Sequence, residues 1–345
     1  MSTTTQLTQT ELPPPAILMQ MGMGFIVSQA VSVAARLYIA DHLQNGAKSI
    51  EELAGLTDTH AASLYRLMRA LSSAGVFRKD ADGRFSNSPV SEFLRSDHPE
   101  SMRDALHMIC DREHWQPHGN LMQSVKTGEI AFNYTFGMPV FPYFEQNPEA
   151  AEVFDNAMTS FSHSIANAVA ATYDFSGVQK IADIGGGHGL LLAKVLQTNP
   201  EAKGILFDQP HVVSGANSLL ENAGVAERVQ TVSGDFFAEI PVEADIYLMK
   251  FILHDWNDEQ CDQILQNLAK SAKPGSKVLL VETVVEENDN QPSASKVMDL
   301  NMLVMTGGKE RTATEYAQLF EKAGFKLINV HPTPSPLQIV EAVRV

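Results

Sequence analysis

The residue in this chain best suited to chemistry is His254. It stands in the run IYLMKFILHDWND, residues 246–258. The apolar stretch ending near Met249 and Lys250 reads as a strand, and His254 lies beyond its carboxyl edge, the side on which α/β proteins place their chemistry. A lone histidine is more often structural, but this one sits beside Asp255 and Trp256 at that edge. An imidazole of pKa about 6.5 is the usual neutral-pH base for a hydroxyl as weakly acidic as a phenol, pKa about 10. Such a base contributes roughly 10²–10⁴-fold in rate. It works best when a carboxylate fixes the other ring nitrogen. Two acids are candidates for that role: Glu282, ending VLLVE, and Glu310, in GGKERT. Each has a plainer reading, Glu282 as a solvated strand end and Glu310 as the first acid of a helix capped by Thr312 or Thr314.

A second constellation is IADIGGGHGLLLAKVL, residues 181–196. A strand feeds a glycine-rich turn that opens a helix, which lets the backbone turn tightly and approach a ligand. Against the dinucleotide pattern GxGxxG, the third glycine position is Leu190, so a nicotinamide dehydrogenase is excluded. The spacing Gly185, Gly187, Gly189 suits S-adenosylmethionine, which has no pyrophosphate to seat on the helix N-terminus. Asp208 closes the next strand, placed to accept ribose hydroxyls. In Ser233-Gly234-Asp235-Phe236, Asp235 ends the strand after that, near the adenine in this architecture, with Phe236 packing on the ring.

These residues need a scaffold. The chain has 345 residues, with 44% hydrophobic and 19% charged, an ordinary globular composition. Lys+Arg number 25 against 41 Asp+Glu, a net charge of −16 that disfavours nucleic acid and anionic membrane surfaces. Cys110 and Cys261 form neither a disulfide framework nor a zinc pattern, which points to a reducing cytoplasm. The N-terminus lacks the basic and apolar regions of a secretion signal. The most apolar stretch, 22–40, is interrupted by Ser28, Gln29, Ser32 and Arg36, so no membrane span is expected.

Residues 1–15 read as a flexible arm, and 16–43 as a helix apolar nearly all round, one that a subunit interface would cover. Two helices and a hairpin follow over 49–96, within a winged-helix-like domain spanning 16–110. DNA binding is disfavoured, because residues 48–100 carry seven Lys/Arg against eight Asp/Glu. Residues 111–172 read as a helical and aromatic linker. Its loop-rich part, 127–148, holds Phe132, Tyr134, Phe136, Phe141, Tyr143 and Phe144, as core plugs or as pocket wall. From 173 to 345 strands and helices alternate, with strands expected at 180–184, 204–208, 228–233, 244–249, 277–282, 325–331 and 337–343. That grammar predicts a mainly parallel sheet flanked by helices, with one of the last two strands antiparallel.

With these motifs in view the chain resembles the small-molecule O-methyltransferases typified by plant caffeic acid and isoflavone enzymes, acetylserotonin methyltransferase and bacterial tailoring enzymes. IADIGGGHG, ILFDQPHVV, SGDFFAEIP, YLMKFILHDWNDEQC, VETVV and GGKERTATEYAQLFEKAGF carry the likeness over nearly the whole chain. The resemblance implies a Rossmann-like class I methyltransferase domain behind an N-terminal winged-helix dimerisation domain, and an intertwined homodimer. It implies His254 as base, flanked by Glu282 and Glu310. It places methyl-donor contacts on Gly185, Gly187, Asp208, Gly234, Asp235, Phe236 and Lys250, the last through its backbone, with S-adenosylhomocysteine as product and no metal. Met158 matches a methionine packed on the substrate ring, and Trp115, Phe141 and Asp255 are further pocket candidates. Met298, Met302 and Met305 share one helical face, either as core or as a pliant pocket wall, with Asn301 offering a hydrogen bond. The acceptor implied is an aromatic small molecule. Nitrogen or carbon methylation, or non-methylating use of the cofactor in hydroxylation or decarboxylation, remain alternatives.

Overall fold

The structure, a computed structural model, describes residues 12–287, 290 and 292–345. Most of the expected arm, residues 1–11, lies outside the described residues, and its end is already helical, because α1 spans Pro14–Arg36 with proline at its first position. The chain divides into two compact units. Among the described residues, one comprises 12–112 and 152–160, the other 113–151 and those from 161 to 345.

In the first unit the helix expected over 16–43 is broken. Tyr38 adopts a left-handed φ of 52°, and α2 (Ile39–His42) starts anew after it. By length and composition alone α1, whose best window averages a hydropathy of 1.6, is apolar enough to cross a membrane, a test that apolar helices with other roles also pass. Leu18, Met19, Met21 and Ile26 are exposed on it, whereas Ala34 and Ala35 are buried. Ser49 caps α3 (Ile50–Thr57) through a reciprocal box with Glu52. Then come α4 (Ala61–Ser73), the antiparallel pair β1 (Phe77–Lys79) and β2 (Phe85–Asn87), and α5 (Arg103–Ile109). Leu53, Met68, Leu71, Phe77 and Phe85 fill the core of this unit.

The second unit begins with short helices, α6 (Arg112–Gly119), α7 (Leu121–Thr127), α8 (Ala131–Phe136) and α9 (Val140–Gln146). The segment expected to be loop-rich is therefore mostly helical. Phe132, Phe136 and Tyr143 pack with ring centres 4.7–5.4 Å apart, and Phe132, Tyr143 and Phe144 are core residues. The long α10 (Pro148–Thr172) follows, contributing residues 152–160 to the first unit.

Alternation then sets in: β3 (Lys180–Ile184), α11 (Leu190–Thr198), β4 (Lys203–Asp208), α12 (Pro210–Val213), α13 (Asn217–Asn222), β5 (Val229–Ser233), β6 (Ile246–Lys250), α14 (Asp258–Ser271) and β7 (Lys277–Glu282). The chain ends with β8 (Val284–Val285), α15 (Ala294–Met305), β9 (Arg311–Thr312), α16 (Ala313–Lys322), β10 (Phe325–Pro332) and β11 (Gln338–Arg344). Strands β3 to β7 and β10 to β11 form one seven-stranded sheet ordered β10-β11-β7-β6-β3-β4-β5. Its strands β3, β4, β5, β6 and β7 pair in parallel, while β11 runs antiparallel to both β7 and β10. Successive strands step outward from β3 to β5, and the chain then returns to β6 on the other side of β3. That reversal opens a crevice at the carboxyl ends of β3 and β6, where this architecture binds ligands. Apart from the sheet, β8 and β9 pair in parallel, Val284 opposite Arg311.

Candidate active site

The loop after β3 is built for a backbone ligand. Gly185, Gly187 and Gly189 take φ values of +67°, +60° and +83°, which residues with a Cβ rarely adopt. No atom lies within 4 Å of where a Cβ on Gly187 would stand, so the loop offers bare backbone there. Asp208, at the end of β4, accepts from the Gly187 amide at 2.8 Å and the Gln209 amide at 2.7 Å. Each of its oxygens keeps a lone pair for a ligand hydroxyl. Burial pushes the Asp208 carboxyl above its ordinary range, and the two amides oppose the shift.

Below this loop, Asp183 is buried and neither of its oxygens makes a full hydrogen bond. Burial lifts its carboxyl to about 7 against the pull of Lys250. Lys250, ending β6, is pushed down to about 8 by burial, while Asp183, Asp255 and Glu282 hold it up. The buried Asp183 carboxyl under open glycine backbone, with the half-buried Lys250 ending the neighbouring strand, fits the amino-acid end of S-adenosylmethionine. Asp235 lies exposed just past β5, its Oδ1 accepting the Phe237 amide at 2.8 Å. Gly234 packs on the Phe207 ring, and Phe236 stands 6.1 Å from the Trp256 ring centre.

Across the crevice, β6 leads into a single 3-10 turn, Leu253–Asp255, that carries His254. The imidazole is buried, and its Nδ1 meets Glu310 Oε1 at 2.9 Å. A carboxylate only accepts, so this contact places the ring proton on Nδ1 and leaves Nε2 free for chemistry. Of the two candidate partners, Glu310 is thus the one on the ring. Glu282, wholly buried, instead accepts the amides of Ile252 and Leu253 at 3.1 and 2.7 Å and the Tyr316 hydroxyl at 2.7 Å. Glu310 lies before the helix cap, which is Thr312. Burial opposes charging His254, but Asp255, Glu310 and Glu282 outweigh it and raise the imidazole to about 9. Asp255 Oδ1 is 3.8 Å from Nε2, and burial lifts that carboxyl to about 6.

Phe251 closes the other face of the imidazole. Its ring stacks on His254 at 5.0 Å and 14°, and its backbone holds a left-handed φ of 56°. A strained non-glycine residue kept in place by surrounding structure marks a site. Sequence reasoning passed over Phe251, because nothing in its side chain announces an unusual φ. It also passed over Asp183, Arg311 and Tyr316, which read as ordinary strand and helix residues.

The acceptor candidates are less concentrated. Phe141 packs on Trp256 with ring centres 5.6 Å apart. Met302 and Met305 are buried on α15, Met298 is exposed, and Asn301 Nδ2 lies 3.7 Å from Met298 Sδ. Trp115 is partly exposed on α6. Met158 belongs to the first unit. Among the described residues no three His, Cys, Asp or Glu side chains converge as metal ligands.

Residues 118–326 match the model of the O-methyltransferase domain, and residues 19–97 that of the O-methyltransferase dimerisation domain. The chain is 43% identical to the phenazine O-methyltransferase PhzM of Lysobacter antibioticus, over 96% of each chain. It is 31% identical to an 8-amino-8-demethylriboflavin N,N-dimethyltransferase of Streptomyces davaonensis, over 94% of each chain. A solved O-methyltransferase from neocarzinostatin biosynthesis, in complex with S-adenosylmethionine and 2-hydroxy-5-methyl naphthoic acid, superposes with a TM-score of 0.79. It is 32% identical and aligns over 92% of this chain and 96% of that one.

Proposed function

The chain belongs to the O-methyltransferase family, and from that premise we propose that it transfers a methyl group from S-adenosylmethionine to a phenolic or enolic hydroxyl of an aromatic small molecule, with His254 as general base. The observation that carries this reading is the pairing of His254 Nδ1 with the buried Glu310, which leaves Nε2 as the proton acceptor. When bound, the cofactor supplies an electrophilic methyl on a sulfonium, whose departing thioether needs no proton. Catalysis therefore asks the protein for a deprotonated oxygen and for alignment. His254 takes the hydroxyl proton at Nε2, and Glu310 stabilises the resulting imidazolium. Gly185, Gly187, Asp208, Gly234, Asp235, Phe236 and the Lys250 backbone would hold the methyl donor, and S-adenosylhomocysteine would be the product. Glu282 serves through the backbone it anchors. Asp255, Asn301, Phe141, Trp115, Met302 and Met305 are assigned to the acceptor side, and no metal is assigned a part.

The exposed apolar face of α1, within the matched dimerisation domain, supports a homodimer in which a second subunit covers it. We assign the enzyme to secondary metabolism, where the named activities of its relatives lie, and, from its two unpaired cysteines, to a reducing cytoplasm.

The test is a mass-spectrometric assay of purified enzyme and S-adenosylmethionine against hydroxyphenazines, hydroxynaphthoates, catechols and flavonoids, with His254→Ala alongside. A product heavier by one methylene, absent with the variant, is expected; none from any hydroxylated acceptor despite cofactor binding sinks the proposal. An amine acceptor is the second reading, favoured by the N,N-dimethyltransferase relative. Aminated analogues in the same panel, with the methyl located by fragmentation, separate the two.

A further inference from the structure

Among the described residues Arg311 heads the wholly buried side chains by size. A guanidinium does not shed its charge, so burying one is costly unless its donors are satisfied. Here they all go to the segment 253–258 and to the residue two before Arg311 itself. Nη1 donates to the Leu253 carbonyl at 2.8 Å and Nη2 to the Trp256 carbonyl at 2.8 Å. Nε and Nη2 donate to Asp258 Oδ1 at 3.1 and 2.9 Å, and a longer bond of 3.3 Å runs from Nη1 to the Lys309 carbonyl. The Leu253 and Trp256 carbonyls bracket His254 and Asp255.

That segment needs outside support. Residues 253–255 form one isolated 3-10 turn, whose internal hydrogen bonds have poor geometry. Its amides at Ile252 and Leu253 are taken by Glu282, so the Leu253 residue is tied by its amide on one side and its carbonyl on the other. Gly308 lies so close that a Cβ there would overlap the His254 carbonyl oxygen. The pairing of β8 with β9 sets Arg311 opposite Val284, and this register delivers Glu310 to the imidazole and Arg311 to the backbone beneath it.

We infer that Arg311 is a positioning residue for the base: by gripping the carbonyls on either side of His254 it fixes where Nε2 stands and keeps Glu310 on Nδ1. The inference rests on His254 being the base. Two carbonyls and a carboxylate are reached at once only by a planar fork of donors, which a lysine's single ammonium does not reproduce.

The experiment compares Arg311→Lys, His254→Ala and the double variant of the full-length enzyme on a phenolic acceptor established as substrate. Arg311→Lys is expected to lower kcat about 10–100-fold, as a small displacement of a catalytic group does, with acceptor KM and cofactor affinity within about three-fold. In the His254→Ala background the same change is expected to alter the residual rate by less than about two-fold, because residues acting through one another are not additive. An unchanged kcat, or the same loss in both backgrounds, overturns the inference. If Arg311→Lys does not fold, Asp258→Asn, which removes the counter-charge at a half-exposed position, carries the test with a drop of about three-fold and the same non-additivity; no drop overturns it. Should His254→Ala keep full turnover, the base reading fails separately. The His254 imidazole titration, followed by NMR of histidine-labelled enzyme, then decides: a midpoint unmoved by Arg311→Lys rejects the positioning role.

Discussion

His254 and Glu310 stand 56 residues apart in the chain and 2.9 Å apart in space, joined through Nδ1 and Oε1 inside the protein. This contact makes the ring a directional base and, with Asp255 and Glu282, a stronger one than a free imidazole. Raising the imidazole in this way favours its charged form, so the neutral ring that acts as base gains population as pH rises. Turnover on a simple phenol should rise with pH toward about 9, because only the neutral ring accepts a proton. His254→Ala should abolish this limb and cost roughly 10²–10⁴-fold in kcat, with cofactor affinity within a few-fold by calorimetry. Equal losses in turnover and cofactor binding would contradict the role of base.

Glu310→Gln keeps an acceptor for Nδ1 but removes the charge. The alkaline limb of kcat should move to lower pH, and kcat at its plateau should fall. Stability carries the same sign. A histidine raised from 6.5 to about 9 on folding contributes stability that is full below 6.5 and lost as pH rises through 9. The difference in melting temperature between wild type and Glu310→Gln should thus be largest near pH 6 and shrink above pH 9. A constant difference across that range would show that the pair is not coupled through the histidine proton.

Asp208 holds two amides of the cofactor loop while offering lone pairs outward. Asp208→Ala should weaken S-adenosylmethionine binding by about 10–100-fold, the worth of hydrogen bonds to a charged group. Unchanged affinity by calorimetry would remove Asp208 from the site.

Tyr316 donates to Glu282 deep in the core, at 2.7 Å, and burial beside that carboxylate holds its phenol well above the ordinary range. Tyr316→Phe deletes the donor and leaves a buried carboxylate oxygen unpaired. A loss of about 1–3 kcal/mol in denaturant unfolding is expected. A neutral result would mean that Glu282 finds another donor.

The exposed apolar face of α1 should be covered in solution. Light scattering should give the mass of a dimer, and Ile26→Glu, placing a charge on that face, should shift it toward monomer. A wild-type monomer at micromolar concentration would contradict the dimer.

Much of this was legible in the sequence. The strands at Lys180–Ile184 and Lys277–Glu282 fall on their expected residues, since buried parallel strands announce themselves as apolar runs between turns. The break at Tyr38 did not show, because an apolar helix continues in pattern even where one backbone angle inverts. The helices over residues 131–146 were hidden by glycine, proline and aromatic punctuation that reads as loop. Two acids near one histidine were visible, but which of them meets the ring depends on the β8–β9 register. A two-residue strand pair carries no periodicity. For the same reason Arg311 and Tyr316 escaped notice: their partners lie 55 and 34 residues away, at Trp256 and Glu282.

The last strand of the chain, β11, lies inside the sheet, paired on one side with β7 and on the other with β10. During synthesis the sheet therefore cannot close until residues 338–344 have left the ribosome. Until then β7 and β10 present open edges, the form in which strands recruit the wrong partner. A nascent chain stalled before residue 338 holds every residue of the candidate site yet lacks the strand that joins β10 to the rest of its sheet. Closure of the sheet thus waits on residues 338–344, and deleting this strand is expected to prevent folding of the sheet.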